Sequence, residues 1–275
     1  MIKVDAHQHF WQLARGDYSW ISPSMSVLYR DYLPADIIPL IKQENISKTV
    51  LVQAAPTFEE TKFILGLANQ FDFIAGVVGW VDMAEPCGIE QLKEISIENK
   101  LLGIRPVIQD IEDKDWILKP ELDVIFQYLI AHDLTFDALI KPIHISNLIT
   151  IVDRYPELKV VVDHGAKPNI IKSEFSPWAE NMAQLAQRPQ VYCKLSGLLT
   201  EAPAGSDETT LSAYVKHLFS TFGASRLMWG SDWPVVNLAS DYANWHRIAQ
   251  LLCRDLTAGE AEAVFGGSAI KFYDL

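Results

Sequence analysis

Short apolar runs alternate with segments of helical period along most of the chain. The strand-like runs lie at Ile2–Ala6, Thr49–Gln53, Ile74–Val81, Leu101–Pro106, Thr135–Ile140, Lys159–Val162, Val191–Lys194 and Leu227–Gly230. Between Pro120 and Asp133, the residues Leu122, Ile125, Phe126, Leu129 and Ile130 recur at i, i+3, i+4, i+7 and i+8. That spacing gives a helix with one apolar face, able to cover a sheet. Thr57 with Glu60 predicts a capping box before a helix over Phe63–Phe71, and Thr257 with Glu260 predicts another near the C-terminus. Strands that alternate with helices argue for βα units and a parallel sheet. Eight of them in this length predict an α/β fold, a single (β/α)8 or TIM barrel.

The segment from Phe10 to Pro34 interrupts the alternation as a long loop between the first strand and the first helix. It carries Trp11, Tyr18, Trp20, Tyr29 and Tyr32 together with Arg15 and Arg30. Loops of this length in compact domains serve as binding loops or as packed covers. No Ser/Gly linker, low-complexity tract or solenoid repeat divides the sequence, so residues 1–275 are expected to form one domain.

Composition narrows the function. A chain of 275 residues, 49% hydrophobic and 21% charged, can bury a full core. Its formal net charge of -12 opposes broad attraction to phosphate backbones or anionic lipid, which leaves a small molecule as the expected partner rather than nucleic acid or membrane. The pattern specifies no oligomeric state. Cys87, Cys193 and Cys253 are widely spaced and read as reduced thiols, not as a disulfide framework or a zinc site. No signal segment precedes Val4, and no apolar run approaches the roughly 18 residues of a membrane span, so a cytoplasmic protein is expected.

The candidate chemistry lies at strand ends. In DAHQHFW, His7 and His9 are two apart and would share one face at the C-terminal mouth of strand one, where barrel active sites lie. Two imidazoles there can bind a metal or donate to a developing oxyanion, although an isolated pair can also be satisfied loop polarity. VVDHGAKP places His164 at the end of strand six, and MWGSDWPV places Asp232 at the end of strand eight. Arg105 follows strand four, and Lys194 with Ser196 ends strand seven. Singly, these read as a core histidine, a helix cap and salt-bridge partners. A barrel brings them together, and a catalytic mouth is then the better reading. Ser196 and Ser231 lack a GxSxG elbow, and no phosphate-binding glycine motif is present.

DAHQHFW, VLVQAAPTFEET, GWVD, GIRPVIQD, VVDHGAKP, CKLSGL and MWGSDWPV, in this order from Asp5 to about Val235, resemble the amidohydrolase superfamily. The likeness is to its amidohydrolase-2 branch of lactone hydrolases, related to fuconolactonase, rhamnonolactonase and 2-pyrone-4,6-dicarboxylate lactonase. The resemblance implies a distorted (β/α)8 barrel that hydrolyses a cyclic ester, with His7, His9 and His164 around the carbonyl and Asp232 activating water. Strand four ends at Arg105 where many binuclear relatives carry a bridging lysine or glutamate, which argues against a two-metal site. His144, beyond the Lys141-Pro142 bend, reads as a loop or helix-start residue rather than a displaced ligand. His7, His9, His164 and Asp232 could hold one divalent ion, best zinc, and catalysis without metal is equally compatible with the branch.

For the substrate, Trp11, Trp20, Trp80 and Trp233 could stack on a sugar ring, while Gln53, Asp82 and Gln109 could bond its hydroxyls. Arg105 is the clearest partner for a carboxylate, with Arg15, Arg30, Lys167 and Lys194 as helpers. The expected substrate-binding set is therefore Arg105, Trp11, Gln53, Trp80, Lys194 and Trp233. The loop after strand one resembles the sugar-lactonase side of the family, which favours an aldonolactone such as L-fucono- or L-rhamnonolactone. The alternatives are a hydrolase of an anionic pyrone or muconolactone-type lactone, a metal-dependent decarboxylase, and a noncatalytic sugar-acid binding protein.

Overall fold

Runs of Val, Ile and Leu bounded by polar turns form strands buried on both faces, as a parallel barrel wrapped in helices requires. The computed structural model describes residues 2–275. Among the described residues, eight parallel strands follow one another in sequence order: β1 Val4–Gln8, β2 Lys48–Val52, β3 Ile74–Gly79, β4 Leu101–Ile104, β5 Thr135–Ala138, β6 Val160–Val162, β7 Val191–Leu195 and β8 Leu227–Trp229. The ring closes between its first and last members. Gln8 bridges Trp233, His9 N donates to Trp233 O at 2.7 Å, and Asp232 N donates to His7 O at 2.8 Å. The same bonds set His7, His9 and Asp232 side by side.

Helices cover the ring at α1 Pro34–Gln43, α2 Phe58–Ala68, α3 Gly88–Ile95, α4 Asp123–Ala131, α5 Ile145–Arg154, α6 Trp178–Leu185, α7 Glu208–Phe222 and α8 Tyr242–Leu252. α4 buries Ile125, Phe126 and Leu129, the face that its spacing predicts. A C-terminal helix, α10 in the full series after the short α9 (Ala258–Glu262), spans Ser268–Tyr273 and packs Phe272 and Tyr273 with Val4, Ala6, Val50, Val161 and Met228. Thr257 and Glu260 form the reciprocal capping box. Thr57 caps α2 by accepting from Glu60 N, but the Glu60 side chain turns away and accepts from Ala54 N at 3.1 Å. The helix also begins earlier than expected, at Phe58.

β1 differs most from expectation. It starts at Val4 and runs to Gln8, so His7 sits within the strand, and the β1–β2 register slips between Asp5 and Gln8. Strict alternation would give His7 the side of Asp5, whose carboxylate accepts from Tyr242 of the covering helix α8. The slip re-aims His7 toward Lys194 inside the barrel, as bulges near active sites do.

Candidate active site

His9 anchors the mouth. Its Nδ1 lies 2.8 Å from Val52 O, and a carbonyl only accepts, so Nδ1 carries a proton and the ring turns Nε2 toward the centre. That Nε2 stands 3.1 Å from His7 Nε2 and 3.3 Å from Asp232 Oδ1. Asp232 Oδ1 is also 3.7 Å from His7 Nε2 and 3.9 Å from His164 Nε2. His164 Nδ1 is fixed by Ser196 Oγ at 2.8 Å. One carboxylate oxygen therefore faces imidazoles supplied by the first and sixth strands.

Beneath His7 lies a closed ionic layer. Lys194 Nζ reaches Asp137 Oδ2 at 2.6 Å, Asp163 Oδ1 at 3.1 Å and His7 Nδ1 at 3.2 Å. Arg105 Nη1 donates to Asp163 Oδ2 at 3.2 Å, and its Nη2 donates to Gln53 O. Tyr273 donates to Asp137 Oδ2 at 2.6 Å. Lys194, Asp137 and Asp163 are fully buried, so each charge depends on these partners.

Burial pushes His7 well below the ordinary imidazole range, against the pull of Asp163. Burial likewise lowers His164 to about 4, against Asp232 and Asp163. For Asp232 burial opposes the charge, yet His164, then His9 and His7, outweigh it and hold the carboxyl below its usual range. Asp163 follows the same logic, with Lys194 and His7 overcoming its burial. Near neutral pH, the centre combines neutral His7 and His164 with an ionised Asp232. His164 and Asp232 both have left-handed backbone, at φ 53° and 56°, a conformation held by the surrounding bonds and concentrated at functional sites.

The centre opens into a cavity of about 640 Å³ at the C-terminal face of the barrel. His9, His164, Asp232, Arg105 and Gln53 form its inner end, and Trp20, Trp80, Met83, Trp116, Leu139 and Val235 its apolar walls. Asp82, Gln109, Asp110 and Lys167 add polarity. Gln53 Oε1 and Gln109 Oε1 are buried without a hydrogen-bond partner among the described residues.

Two overlapping groups have ligand spacing for a metal ion: His7, His9 and Asp232, and His7, Asp163 and His164. Asp163 is committed to Arg105 and Lys194, so the first group is the better donor set. Its separations of 3.1, 3.3 and 3.7 Å are close to the edge of about 3.4 Å for ligands about 2.0–2.1 Å from zinc. The residues present fit one zinc ion.

Residues 4–275 match the amidohydrolase family profile. The chain belongs to the amidohydrolase family. This amidohydrolase is 42% identical over 275 residues to an L-fucono-1,5-lactonase of Burkholderia ambifaria, covering 98% of this chain and 95% of the relative. It is 34% identical over 289 residues to an L-fucono-1,5-lactonase of Burkholderia multivorans, covering 100% and 96%. The crystal structure of an amidohydrolase from Burkholderia multivorans with bound zinc superposes with a TM-score of 0.94 at 34% identity, covering 100% of both chains.

In this amidohydrolase His7, His9, His164, Asp232 and Arg105 converge, and Gln53 and Trp80 line the cavity. Three residues expected to touch substrate lie elsewhere. Trp11 is fully buried and gives its indole N–H to Arg30 O, so the long loop uses it to pack. Trp233 packs edge-on against Phe10 and Tyr32. Lys194 lies below the cavity in the ionic layer, because an ammonium buried in the barrel needs the carboxylates of Asp137 and Asp163. His144 is away from the metal-spaced groups and accepts from Lys141 N at the start of α5. The layer beneath the site also contains Asp137 and Tyr273, which sequence reading missed. A charge inside the apolar run TFDALI was the available signal for Asp137; Tyr273 had none.

Proposed function

We propose that this enzyme opens the ring of an aldonolactone, a neutral sugar lactone such as L-fucono-1,5-lactone, by adding water to the ring carbonyl. The observation that carries this reading is Asp232, held ionised by imidazoles at the inner end of a cavity walled by indoles and polar side chains. Its Oδ1 faces the histidines, while no hydrogen bond among the described residues uses Oδ2. Oδ2 is therefore available to take a proton from water as the water attacks the carbonyl carbon. Arg105 and His164, beside the same point, stabilise the negative charge that gathers on the carbonyl oxygen. The tetrahedral adduct then collapses, the bond from carbonyl carbon to ring oxygen breaks, and Asp232 returns its proton to that oxygen. The product is an open-chain hydroxy acid. A zinc ion, the metal bound in the related crystal structure, would be held here by His7, His9 and Asp232 and would polarise the carbonyl and acidify water.

The wall chemistry supports the sugar lactone over an anionic pyrone. A dicarboxylate needs several free cations, whereas Arg105 is paired with Asp163, Lys167 lies 3.4 Å from Glu201, and Asp82 and Asp110 line the wall. Gln53, Gln109 and these acids suit hydroxyl groups. The test is acid release from five- and six-membered sugar lactones beside a pyrone dicarboxylate, using chelated and zinc-supplemented protein with spontaneous hydrolysis subtracted. Rapid turnover of a sugar lactone and none of the pyrone is expected; no turnover of any sugar lactone in either condition overturns the reading.

A further inference from the structure

We propose that the same centre opens a second class of lactone, one whose ring lacks hydroxyls and carries an unbranched alkyl chain on the carbon beside the ring oxygen. The inference rests on the ring-opening reading above, but not on the sugar. Asp232, His164 and Arg105, at the inner end of the cavity, act on the ester group alone. Ring hydroxyls have no part in that chemistry. Water adds its oxygen to the carbonyl carbon, the bond from that carbon to the ring oxygen breaks, and the proton taken by Asp232 ends on the ring oxygen. The product is a hydroxyalkanoate.

The walls of the cavity carry the argument. The loops after β3, β4, β5 and β8 turn Met83, Trp116, Leu139 and Val235 toward it. Met83 and Trp116 belong to one apolar core cluster, and the half-buried wall residue Ile111 packs against that cluster. This side of the cavity is therefore an uncovered edge of the core, and a hydrocarbon chain laid on it leaves water without losing a hydrogen bond. Trp20 extends the apolar surface, because its indole N–H is already given to Ala54 O at 2.7 Å.

The polar groups of the cavity do not oppose such a substrate. A site built around substrate hydroxyls rejects an analogue without them, since its buried donors are then left unpaired. Here the donors have partners inside the protein. Gln53 Nε2 donates to Arg105 O at 2.8 Å, Gln109 Nε2 donates to Asp110 Oδ2 at 3.2 Å, and Lys167 pairs with Glu201 at 3.4 Å. Asp82 is half-buried and Asp110 exposed, so both keep contact with water. The volume of about 640 Å³ also exceeds what a single sugar ring fills, lying within the range of about 300–1,000 Å³ that encloses drug-sized ligands.

The test is a series of six-membered lactones without hydroxyls, bearing methyl, propyl or pentyl beside the ring oxygen. Each is assayed by acid release with zinc-supplemented protein, below its solubility limit and with spontaneous hydrolysis subtracted. In the wild type kcat/KM is expected to rise by about two- to four-fold per added methylene, the worth of its burial. Met83→Gln and Val235→Thr keep the shape of the wall and make it polar. Each is judged by its own ratio of pentyl to methyl lactone, so a general loss of activity does not count, and both ratios are expected to fall. A wild-type kcat/KM that is flat or declines with chain length overturns the proposal, as does an undiminished ratio in both variants. L-Fucono-1,5-lactone is assayed alongside. Its turnover without a rise along the alkyl series overturns this proposal and leaves the sugar reading standing; the rise without its turnover supports the proposal and removes the sugar.

Discussion

Gly197 meets the ring of His164 with no room for a side chain: a Cβ there would stand 2.6 Å from both Cγ and Nδ1 of the imidazole. Its φ of 61° adds a second reason for glycine. Gly230 serves His7 similarly, where an added Cβ would lie 2.6 Å from His7 Cβ. Bare backbone therefore seats two of the imidazoles. Gly197→Ala is expected to lower stability by about 1–3 kcal/mol and to displace His164. Thermal melts and kcat/KM should fall together; a variant with wild-type values for both contradicts this role.

Glu60 should make stability pH-dependent. It is fully buried beneath Ala54, its Oε2 has no partner among the described residues, and burial pushes its carboxyl from the ordinary 4.5 up to about 8. Between these values the folded state keeps a proton that the unfolded chain has released, so stability falls as pH rises, by about 1.4 kcal/mol per pH unit from this group. Below the window both states are protonated, and above it both are ionised, so the slope vanishes. Glu60→Gln retains an acceptor for Ala54 N and removes the titration. Its Tm advantage over wild type is expected to grow from pH 5 to 8 and then level; parallel Tm curves would refute the assignment.

Trp80 can be truncated without losing its backbone, because Thr61 Oγ1 both accepts from Trp80 N at 2.8 Å and donates to Trp80 O at 2.9 Å. Trp80→Ala is expected to raise KM for the sugar lactone by about 2–10-fold, the worth of one aromatic contact, with little change in kcat. Loss of kcat at constant KM would show that the indole acts on the reaction and not on binding.

Zinc should bind the folded chain at the convergent donors. A ligand that binds only the folded state adds about 2.7 kcal/mol at one hundred times its Kd. Adding zinc to chelated protein is expected to raise the wild-type Tm and to leave a His9→Ala variant unmoved. Equal shifts in the two proteins would place the ion elsewhere.

What was legible in the sequence follows from how local each signal is. The strands declared themselves because parallel β-strands in a barrel are buried on both faces, and His164, Asp232 and Arg105 stood out as polar groups at the ends of such runs. The position of His7 was harder: its i, i+2 relation to His9 suggested the right neighbourhood, but a register slip in β1, not simple alternation, turns it inward. Trp11 and Trp233 look alike in sequence to Trp80, and only the packing of the long loop distinguishes them. Tyr273 was out of reach, since its partner Asp137 is 136 positions away and the contact exists only once the barrel has closed.

The central claim is that Asp232 moves the proton during lactone opening, and the most direct measurement is acid release from L-fucono-1,5-lactone by wild type and Asp232→Asn under identical conditions. The variant is expected to lose about 10²–10⁴-fold in kcat while KM stays within a few-fold of wild type. A variant that retains near-wild-type kcat would contradict the account.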